Sequence, residues 1–348
     1  MDHLVDIFSG DNFSVRSLTD AINIVPNMYG RVNQLGIFQE KAIDTTLVSV
    51  EFNHGVLNLI PKSDRGTPAP KNRTAKRSAK HFEVPRIALD DVILPSDIQN
   101  VRAFGSMNMK TPESVTNDKL LELSNKHDIT NEFLKCGALN GLVVDASGAT
   151  ILDIFTEFSV TQLVQAIDFD DAAETVRAKF NAIKRHIKLA LLGDTMSYVH
   201  ALCSPGYFDA LIQSEEAKAA YTNYMNAQAV GLGMAAASAN PLRDDVRDGF
   251  MWQGIFFEEY LGTATDIAGT AHNFIPDNTA RYFPVGTNNT FREWHAPADW
   301  METVNTMGLK KYAKVVPEDG NRHVELLSQS NPLPICLRPD VLVQGSLA

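Results

Sequence analysis

Alternating apolar and polar residues near the start of the chain predict a two-stranded hairpin. Val48, Val50 and Phe52 alternate with polar neighbours, which is the pattern of a half-buried strand. A second run of this kind passes through Phe82, after a long polar segment whose prolines exclude a helix. The pattern therefore predicts an extended β-hairpin loop over residues 46–95 with a polar tip.

This hairpin is long for an isolated element. Arms of about 15 residues would reach roughly 50 Å at the usual strand rise, and a two-stranded ribbon is only marginally stable by itself in water. Its outer edges would be open to pairing with another chain. We therefore expect a partner outside this chain to cover the hairpin. Residues 1–45 have a mixed pattern, which predicts an extended N-terminal arm with one short helix.

Helical periodicity begins after the hairpin. Thr111 and Pro112 suit the cap and the first position of a helix, and we predict a helix over residues 113–137. Its apolar positions form a narrow stripe, which indicates a mostly polar helix that rests on its domain along one seam. The stripe consists of Leu120, Leu123, His127, Thr130 and Leu134.

The rest of the chain alternates between strand and helix patterns. Residues 142–158 predict a hairpin that turns at Gly148. Asp171 and Glu174 resemble a capping box that opens a second helix, and further strands follow towards the C-terminus. The succession predicts an α+β protein. The buried face of the second helix is predicted to consist of Val176, Phe180, Ile183, Ile187 and Leu191.

Composition sets limits on this picture. The chain has 348 residues, 44% of them hydrophobic and 21% charged, which is ordinary for a globular protein of two or three domains. The net charge of −11 argues against a surface that binds nucleic acid throughout. The cysteines Cys136, Cys203 and Cys336 are widely spaced, so neither a disulfide framework nor a metal-binding cysteine pair is predicted. Neither a signal peptide nor an apolar run of the ~20 residues that cross a bilayer is visible, so we expect a soluble, intracellular protein.

One segment departs from this acidic average. Residues 62–86 contain eight Lys or Arg against Asp64 and Glu83, a local charge of +6, so the remainder of the chain carries −17. Phosphate binding, a solvated loop, and docking on an acidic surface of an identical subunit would each explain the run. No aromatic residue interleaves the cations before Phe82, which argues against base stacking. Docking is favoured because it accounts for both signs of charge. The predicted contact residues are Lys62, Arg65, Lys71, Arg73, Lys76, Arg77, Lys80 and Arg86.

Motifs for catalysis or cofactor binding are weak. Gly231 and Gly233 approximate a dinucleotide-binding turn, but a helical pattern precedes them where that motif requires a strand. His200 and Cys203 lie three residues apart on a predicted strand, so their side chains point to opposite faces. We therefore predict no catalytic pair there, and we interpret Cys203 as a core residue.

Acidic residues give no stronger signal. Glu293 and His295 share a strand face, but no third ligand stands at metal spacing, so His295 is interpreted as a surface or interface residue. The adjacent pairs Glu258–Glu259 and Asp244–Asp245 lack the separation that two-carboxylate chemistry needs and are interpreted as solvated. The sequence therefore predicts no catalytic, cofactor-binding or metal site.

Three stretches of the chain carry a family resemblance. They are FLKCGALNGLVVDASGATILDIFTEF; the group YVHALCSPGYFDALI, GFMWQGIFFEEY and NFIPDNTARYF; and the C-terminal ELLSQSNPLPICLRPDVLVQGSLA. In this order, over roughly residues 45–348, the chain resembles tailed-phage major capsid proteins. More specifically, it resembles the lambda-like major capsid protein E family, which has the Hong Kong 97-type capsid fold.

The resemblance implies a division into named parts. Residues 46–95 would be the extended loop that lies across a neighbour in the same ring. A peripheral domain would comprise residues 96–191 and 291–348, with the helix at 113–137 as its spine helix. Residues 192–290 would form the axial domain.

The resemblance also implies a function and partners. The protein would be a non-enzymatic major capsid protein without cofactors, assembling into the hexamers and pentamers of an icosahedral head that encloses double-stranded DNA non-specifically. Scaffolding, portal and decoration proteins would be further partners, and no membrane contact is implied. Assembly would take place in the host cytoplasm, and the protein would reside in the virion. Two alternatives stay open: a soluble enzyme with an unrecognised site, and a nucleic-acid-binding module that uses residues 62–86.

Overall fold

A computed structural model describes seven parts of the chain, which are 30–53, 77–99, 111–170, 175–218, 249–266, 268–320 and 322–348. The helices in these parts are α1 (Arg31–Leu35), α2 (Pro95–Ile98), α3 (Pro112–Asn140), α4 (Ile154–Phe158), α5 (Val176–Ala190) and α6 (Pro205–Gln213). The strands are β1 (Gln39–Ala42), β2 (Leu47–Asn53), β3 (Arg77–Glu83), β4 (Ile87–Ile93), β5 (Leu142–Val144), β6 (Thr150–Asp153), β7 (Leu163–Ile167), β8 (Tyr198–Cys203), β9 (Gly249–Trp252), β10 (Ile255–Glu259), β11 (Thr263–Thr265), β12 (Ala271–Asn273), β13 (Thr279–Val285), β14 (Phe291–His295), β15 (Tyr312–Pro317), β16 (Val324–Ser330), β17 (Pro332–Cys336) and β18 (Val343–Leu347). Within the described parts, no helix is both long and apolar enough to cross a membrane.

A six-stranded mixed sheet holds the main core. Its strands lie in the order β7-β18-β13-β8-β10-β9. Helix α5 packs on this sheet, and the buried ring of Phe180 contacts the rings of Trp252, Phe257 and Tyr282 with centroids 5.0–6.2 Å apart. The predicted buried face of this helix is confirmed, because all five of its residues are buried. The predicted capping residues Asp171 and Glu174 lie outside the described residues.

Helix α3 confirms the predicted helix start. The Thr111 side chain accepts a hydrogen bond from the Ser114 amide at 3.2 Å, and Pro112 occupies the first turn. The helix extends three residues beyond the predicted end and stops at Gly141, which adopts a left-handed conformation with φ of 84°. The predicted narrow seam is wrong for the second half of the helix, where every residue from 134 to 139 is buried. Neighbouring elements surround this half, among them α1, β5 and β17.

Part of the predicted N-terminal arm is built into this core. Strand β1 adds in parallel to β14 in a three-stranded sheet of order β1-β14-β17, and α1 lies against α3. Residues 1–29 lie outside the described residues. The short helix predicted in this segment is present as α1, but residues 39–42 are paired with β14 and do not form a free extended arm. The assignment of residues 1–45 to an N-terminal arm stays a prediction.

A second, smaller core lies at the other end of α3. Strands β15, β16 and β4 form a three-stranded sheet, and Ile93 and Leu326 of this sheet cluster with Leu120 and Leu123 of the helix. Strand β4 was predicted as a continuation of the long hairpin. That prediction is wrong, because β4 pairs with β16 and not with β2.

The predicted hairpin at 142–158 is shorter than expected. Strands β5 and β6 pair and the chain turns at Gly148, whose φ is 83°. After β6 the chain forms the short helix α4, because the Asp153 side chain accepts a hydrogen bond from the Thr156 amide at 3.1 Å and caps it. The strand prediction is thus wrong for residues 154–158.

One sheet crosses the predicted domain boundary. Strands β7 and β18 belong to the predicted peripheral domain, whereas β8, β9, β10 and β13 belong to the predicted axial domain. All six are hydrogen-bonded into the same sheet. The division into these two domains therefore stays a prediction.

Candidate assembly surface

The base of the hairpin is present and lies on its own chain. Strands β2 and β3 pair antiparallel, which confirms the predicted pairing. The apolar side chains of Val48, Val50 and Phe82 are buried, and the Phe82 ring stacks on Phe158 of helix α4 with centroids 6.1 Å apart. The expectation that another chain must cover the hairpin is therefore wrong for this described base. The remainder of the hairpin, residues 54–76, lies outside the described residues.

The opposite face of the hairpin base is open. Leu47 is 56% exposed, and Ser49, Ala79, His81 and Glu83 on the same face are exposed as well. An antiparallel ribbon with one buried and one exposed face is typical of a strand pair at a domain surface. This exposed face is available to another subunit.

Two of the predicted contact cations already have partners within the chain. The Nζ of Lys80 lies 3.4 Å from Oε2 of Glu157 and 5.9 Å from the centre of the Phe158 ring. The Nε of Arg86 lies 3.7 Å from Oδ2 of Asp299, with both side chains more than half exposed. Exposed ion pairs of this kind contribute little to stability.

Of the other predicted contact residues, the structure describes only Arg77. Arg77 begins strand β3, opposite Asn53. Outside the described residues are Lys62, Arg65, Lys71, Arg73 and Lys76.

An open groove runs along the base of the hairpin. It has a volume of about 850 Å³ and is lined by residues 44–47 and 83–86 on one side and by 296–299 on another. Beside it, a short segment exposes large apolar side chains, of which Met301 is 92% exposed and Met307 59%. Several large apolar side chains exposed on one short segment are typical of an interaction surface.

Buried polar groups anchor the start of the described chain to helix α3. Oε1 of Glu132 accepts a hydrogen bond from the Val32 amide at 2.6 Å, and Oε2 accepts one from the Asn33 amide at 3.0 Å. The Tyr260 hydroxyl donates to the same carboxylate at 2.9 Å. Burial raises the pKa of Glu132, and these hydrogen bonds oppose that shift. Because Gly30 before the helix has no side chain, Glu132 acts as the N-terminal cap of α1 from another element.

A second buried cluster contradicts the sequence interpretation of Glu258. This residue is only 1% exposed and is not solvated. Nε of Arg31 lies 2.7 Å from Oε1 of Glu258, and Nε2 of His200 lies 3.2 Å from Oε2. Burial alone would raise the pKa of Glu258, but the adjacent His200 and Arg31 outweigh burial and lower it. Burial lowers the pKa of His200, so a charged Arg31–Glu258 pair with a neutral imidazole is the stable arrangement.

The sequence interpretation of His295 is also wrong. The residue is 4% exposed, and the neighbouring Glu293 is fully buried and lies 2.8 Å from Nζ of Lys135. The third ligand that was missing from the local sequence comes from strand β1, because donor atoms of Glu40, Glu293 and His295 lie within 4.8 Å of one another. No local signal could have identified Glu40, which is 253 positions from Glu293 in the chain.

The cysteines occupy core positions. Cys136, Cys203 and Cys336 are free and buried. Burial raises the pKa of all three thiols, that of Cys336 to about 12, so they are poor nucleophiles at neutral pH. The prediction that Cys203 is a core residue is confirmed, and His200 lies beside Glu258, not beside this thiol. Gly231, Gly233 and the Asp244–Asp245 pair lie outside the described residues.

Comparison with known sequences extends the resemblance to the arm. A family model described as Phage major capsid protein E matches residues 14–347. The major capsid protein of Pseudomonas phage KPP10 is 28% identical over 97% of this chain and 98% of its own length. That of Salmonella phage Felix O1 (isolate Felix O1-VT1) is 27% identical over 95% of each chain. The match begins well before residue 45, where the resemblance was expected to start.

Comparison with solved structures concerns the fold. The putative capsid protein of a prophage of E. coli CFT073 has a TM-score of 0.62 at 14% identity, covering 96% of this chain and 99% of its own. The capsid chain of cyanophage P-SCSP1u has a TM-score of 0.50 at 11% identity, covering 93% and 89%. The capsid chain of Ralstonia phage GP4 also has a TM-score of 0.50 at 11% identity, covering 90% and 87%. The α+β fold is therefore the Hong Kong 97-type capsid fold, and because the family match spans nearly the whole chain, the protein belongs to the phage major capsid protein E family.

Proposed function

We propose that this protein assembles with copies of itself into the hexamers and pentamers of an icosahedral phage head. The observation that carries the proposal is the family match over residues 14–347, on a chain with the capsid fold. The head would enclose double-stranded DNA without sequence preference, and scaffolding, portal and decoration proteins would be further partners. The protein would assemble in the host cytoplasm and remain in the virion.

In this proposal the protein acts through surfaces and not through chemistry. Obligate assemblies commonly bury 2,000 Å² or more per interface, and head-to-tail contacts around a rotation axis close a ring. The buried carboxylates of Glu132 and Glu258 serve the fold, because their hydrogen bonds and ion pairs are made within the chain. This arrangement supports a structural role over an enzymatic one.

The extended loop, residues 46–95, is the proposed clasp between neighbours in a ring. Its charge of +6 over residues 62–86 suits an acidic partner surface, which the remaining −17 of the chain supplies. The exposed face of the hairpin base and the groove beside Met301 would add an apolar contact with the same neighbour. Lys80 and Arg86 would then exchange their weak internal partners for acidic groups of the next subunit.

The test replaces two cations of the loop by acids. A Lys76→Glu, Arg77→Glu variant changes the loop charge by four units. The matched control is Arg185→Glu, Lys188→Glu, which makes the same change on the exposed face of helix α5. Assembly of the purified full-length chains is followed by gel filtration and negative-stain microscopy at low and high salt.

We expect the loop variant to stay folded by circular dichroism but to form few rings or shells, while the control assembles as the unaltered chain does. High salt should weaken assembly of the unaltered chain, because it screens charge attraction beyond about 10 Å at 0.1 M and less at higher salt. Normal assembly of the loop variant would contradict the clasp. An unaltered chain that stays monomeric under all conditions would contradict the proposed function itself.

A further inference from the structure

Three possible metal ligands meet where strand β1 joins β14. The parallel register places Glu40 beside Glu293, and His295 follows two residues later on the same face of β14. One donor atom from each of the three side chains lies within 4.8 Å of the other two. The cluster joins the start of the described chain to a strand some 250 residues later.

His295 gives a second, independent indication. Its side chain is 5% exposed, and neither ring nitrogen has a hydrogen-bond partner among the described residues. Nε2 faces Oε1 of Glu293 at 3.8 Å, which is too long for a hydrogen bond. A buried polar group without a partner is costly, and a cation between the imidazole and the two carboxylates would give Nε2 a partner.

We propose that Glu40, Glu293 and His295 bind a zinc ion. Imidazole nitrogen and carboxylate oxygen are ordinary zinc ligands, and tetrahedral bonds near 2.0–2.1 Å place ligand atoms about 3.3 Å apart. The 3.8 Å between Nε2 of His295 and Oε1 of Glu293 exceeds that value by about 0.5 Å, and all three donor atoms lie within 4.8 Å of one another. Glu40 is 45% exposed, so the ion can enter from that side and keep a water molecule as its fourth ligand. The ion would then fasten β1 to β14.

Two lysines and one amide also contact these carboxylates. Nζ of Lys135 lies 2.8 Å from Oε2 of Glu293, and the Asn131 amide donates to Oε1 at 2.8 Å. Oε1 has a second lone pair, which stays available to an ion on the His295 side.

Lys310 competes directly with the ion. Its Nζ lies 2.6 Å from Oε1 of Glu40, and its side chain is 56% exposed. If Glu40 served only as the partner of this lysine, removing either residue would change the Zn²⁺ affinity of the chain in the same direction. In a zinc site the two substitutions act in opposite directions, because removal of the lysine frees a ligand and removes a repelling charge.

The experiment titrates Zn²⁺ into the purified, chelator-treated full-length chain, with a chromophoric chelator as competitor and Co²⁺ absorption as a spectroscopic check on the ligands. Glu40→Gln should weaken Zn²⁺ binding by at least about tenfold, the lower end of the loss seen when even an outer partner of a metal site is removed. Lys310→Met should tighten it. The control His323→Gln removes a surface histidine that lies near Glu318 and Glu325 and should leave the affinity unchanged.

Unchanged affinity in Glu40→Gln, or loss of binding in His323→Gln, would overturn the proposal. So would weaker binding in Lys310→Met, because it would assign an ion-pair role to Glu40. Glu40 is half exposed, so its variant should fold, and circular dichroism verifies this. None of these readouts depends on capsid assembly, so their outcome tests the zinc site independently of the proposed function.

Discussion

Substitution of Glu132 by alanine should release the first described helix from the body of the protein. The carboxylate accepts hydrogen bonds from the amides of Val32 and Asn33, at the positions where a helix normally needs a cap. It also accepts a hydrogen bond from the Tyr260 hydroxyl, which links the N-terminus of α1 to the residue after strand β10. Glu132→Ala therefore removes one acceptor from three donors on two other segments of the chain.

The expected cost follows from these contacts. Loss of a helix cap costs about 1 kcal/mol, with a range of 0.5–2. Tyr260 is half-buried and its hydroxyl would lose this partner, which adds about 1–2 kcal/mol from the range for orphaned groups. Burial raises the pKa of Glu132, so removing the carboxylate also relieves some desolvation. The two costs add to about 2–3 kcal/mol, and after the relief of desolvation the net loss in the free energy of unfolding should be about 1–3 kcal/mol.

Two measurements on the folded, unassembled chain check this reasoning. Urea unfolding gives the change in free energy, and hydrogen exchange by mass spectrometry gives the protection of the peptide that contains Val32 and Asn33. The control is Glu122→Ala on the exposed face of the same helix, where Glu122 contacts Lys126 at 2.7 Å and both are more than half exposed. This control should change stability by less than about 0.5 kcal/mol. Equal stability of the two variants, or unchanged protection of the Val32 and Asn33 amides in Glu132→Ala, would refute the capping role.

Two further predictions concern acid stability and a helix end. Burial lowers the pKa of His127 to about 4 from 6.5, so between these values the unfolded chain binds more protons than the folded one and stability falls as pH decreases through this window. By itself this group should lower the free energy of unfolding by about 3 kcal/mol between pH 7 and pH 4. In His127→Gln the loss of stability over this range, measured by urea unfolding, should be smaller by that amount. An identical pH profile for the variant would contradict the assignment. Gly141→Ala places a Cβ into the Phe155 ring at a φ of 84°, whereas Gly148→Ala at a φ of 83° meets no atom within 4 Å. Each substitution should lower the free energy of unfolding by roughly 1–2 kcal/mol, because alanine is strained in the left-handed conformation. Gly141→Ala should lower the melting temperature further than Gly148→Ala does. Equal melting temperatures would show that the overlap with Phe155 has no cost.

Local patterns predicted those elements whose signals are themselves local. The predictions of the Thr111 cap and of the five-residue buried face of α5 are confirmed, because a helix repeats its contacts every three or four residues. The pairing of β2 with β3 followed from two alternating runs. Helix α4 was missed because its apolar residues also fit a strand, and only the Asp153 cap distinguishes the two.

Buried charges were the main failure of sequence interpretation. The sequence predicts a solvated Glu258 and a surface His295, because carboxylate and imidazole side chains usually lie at the surface. Their partners, Arg31 and Glu40, belong to a segment that was expected to be an extended arm. The cover on the hairpin base was missed for the same reason, since Phe158 lies 76 residues beyond Phe82.

The sequence by itself determined the α+β class, the start of α3, the buried face of α5 and the basic character of residues 62–86. Each of these depends on residues within a few turns or a few strand positions of one another. Only the tertiary structure decided that β4 leaves the hairpin for β16, that Glu132 caps α1, and that Glu40 meets His295. The physical reason is that such contacts join residues 100 or more positions apart, and no periodicity along the chain encodes which distant group will satisfy a buried charge.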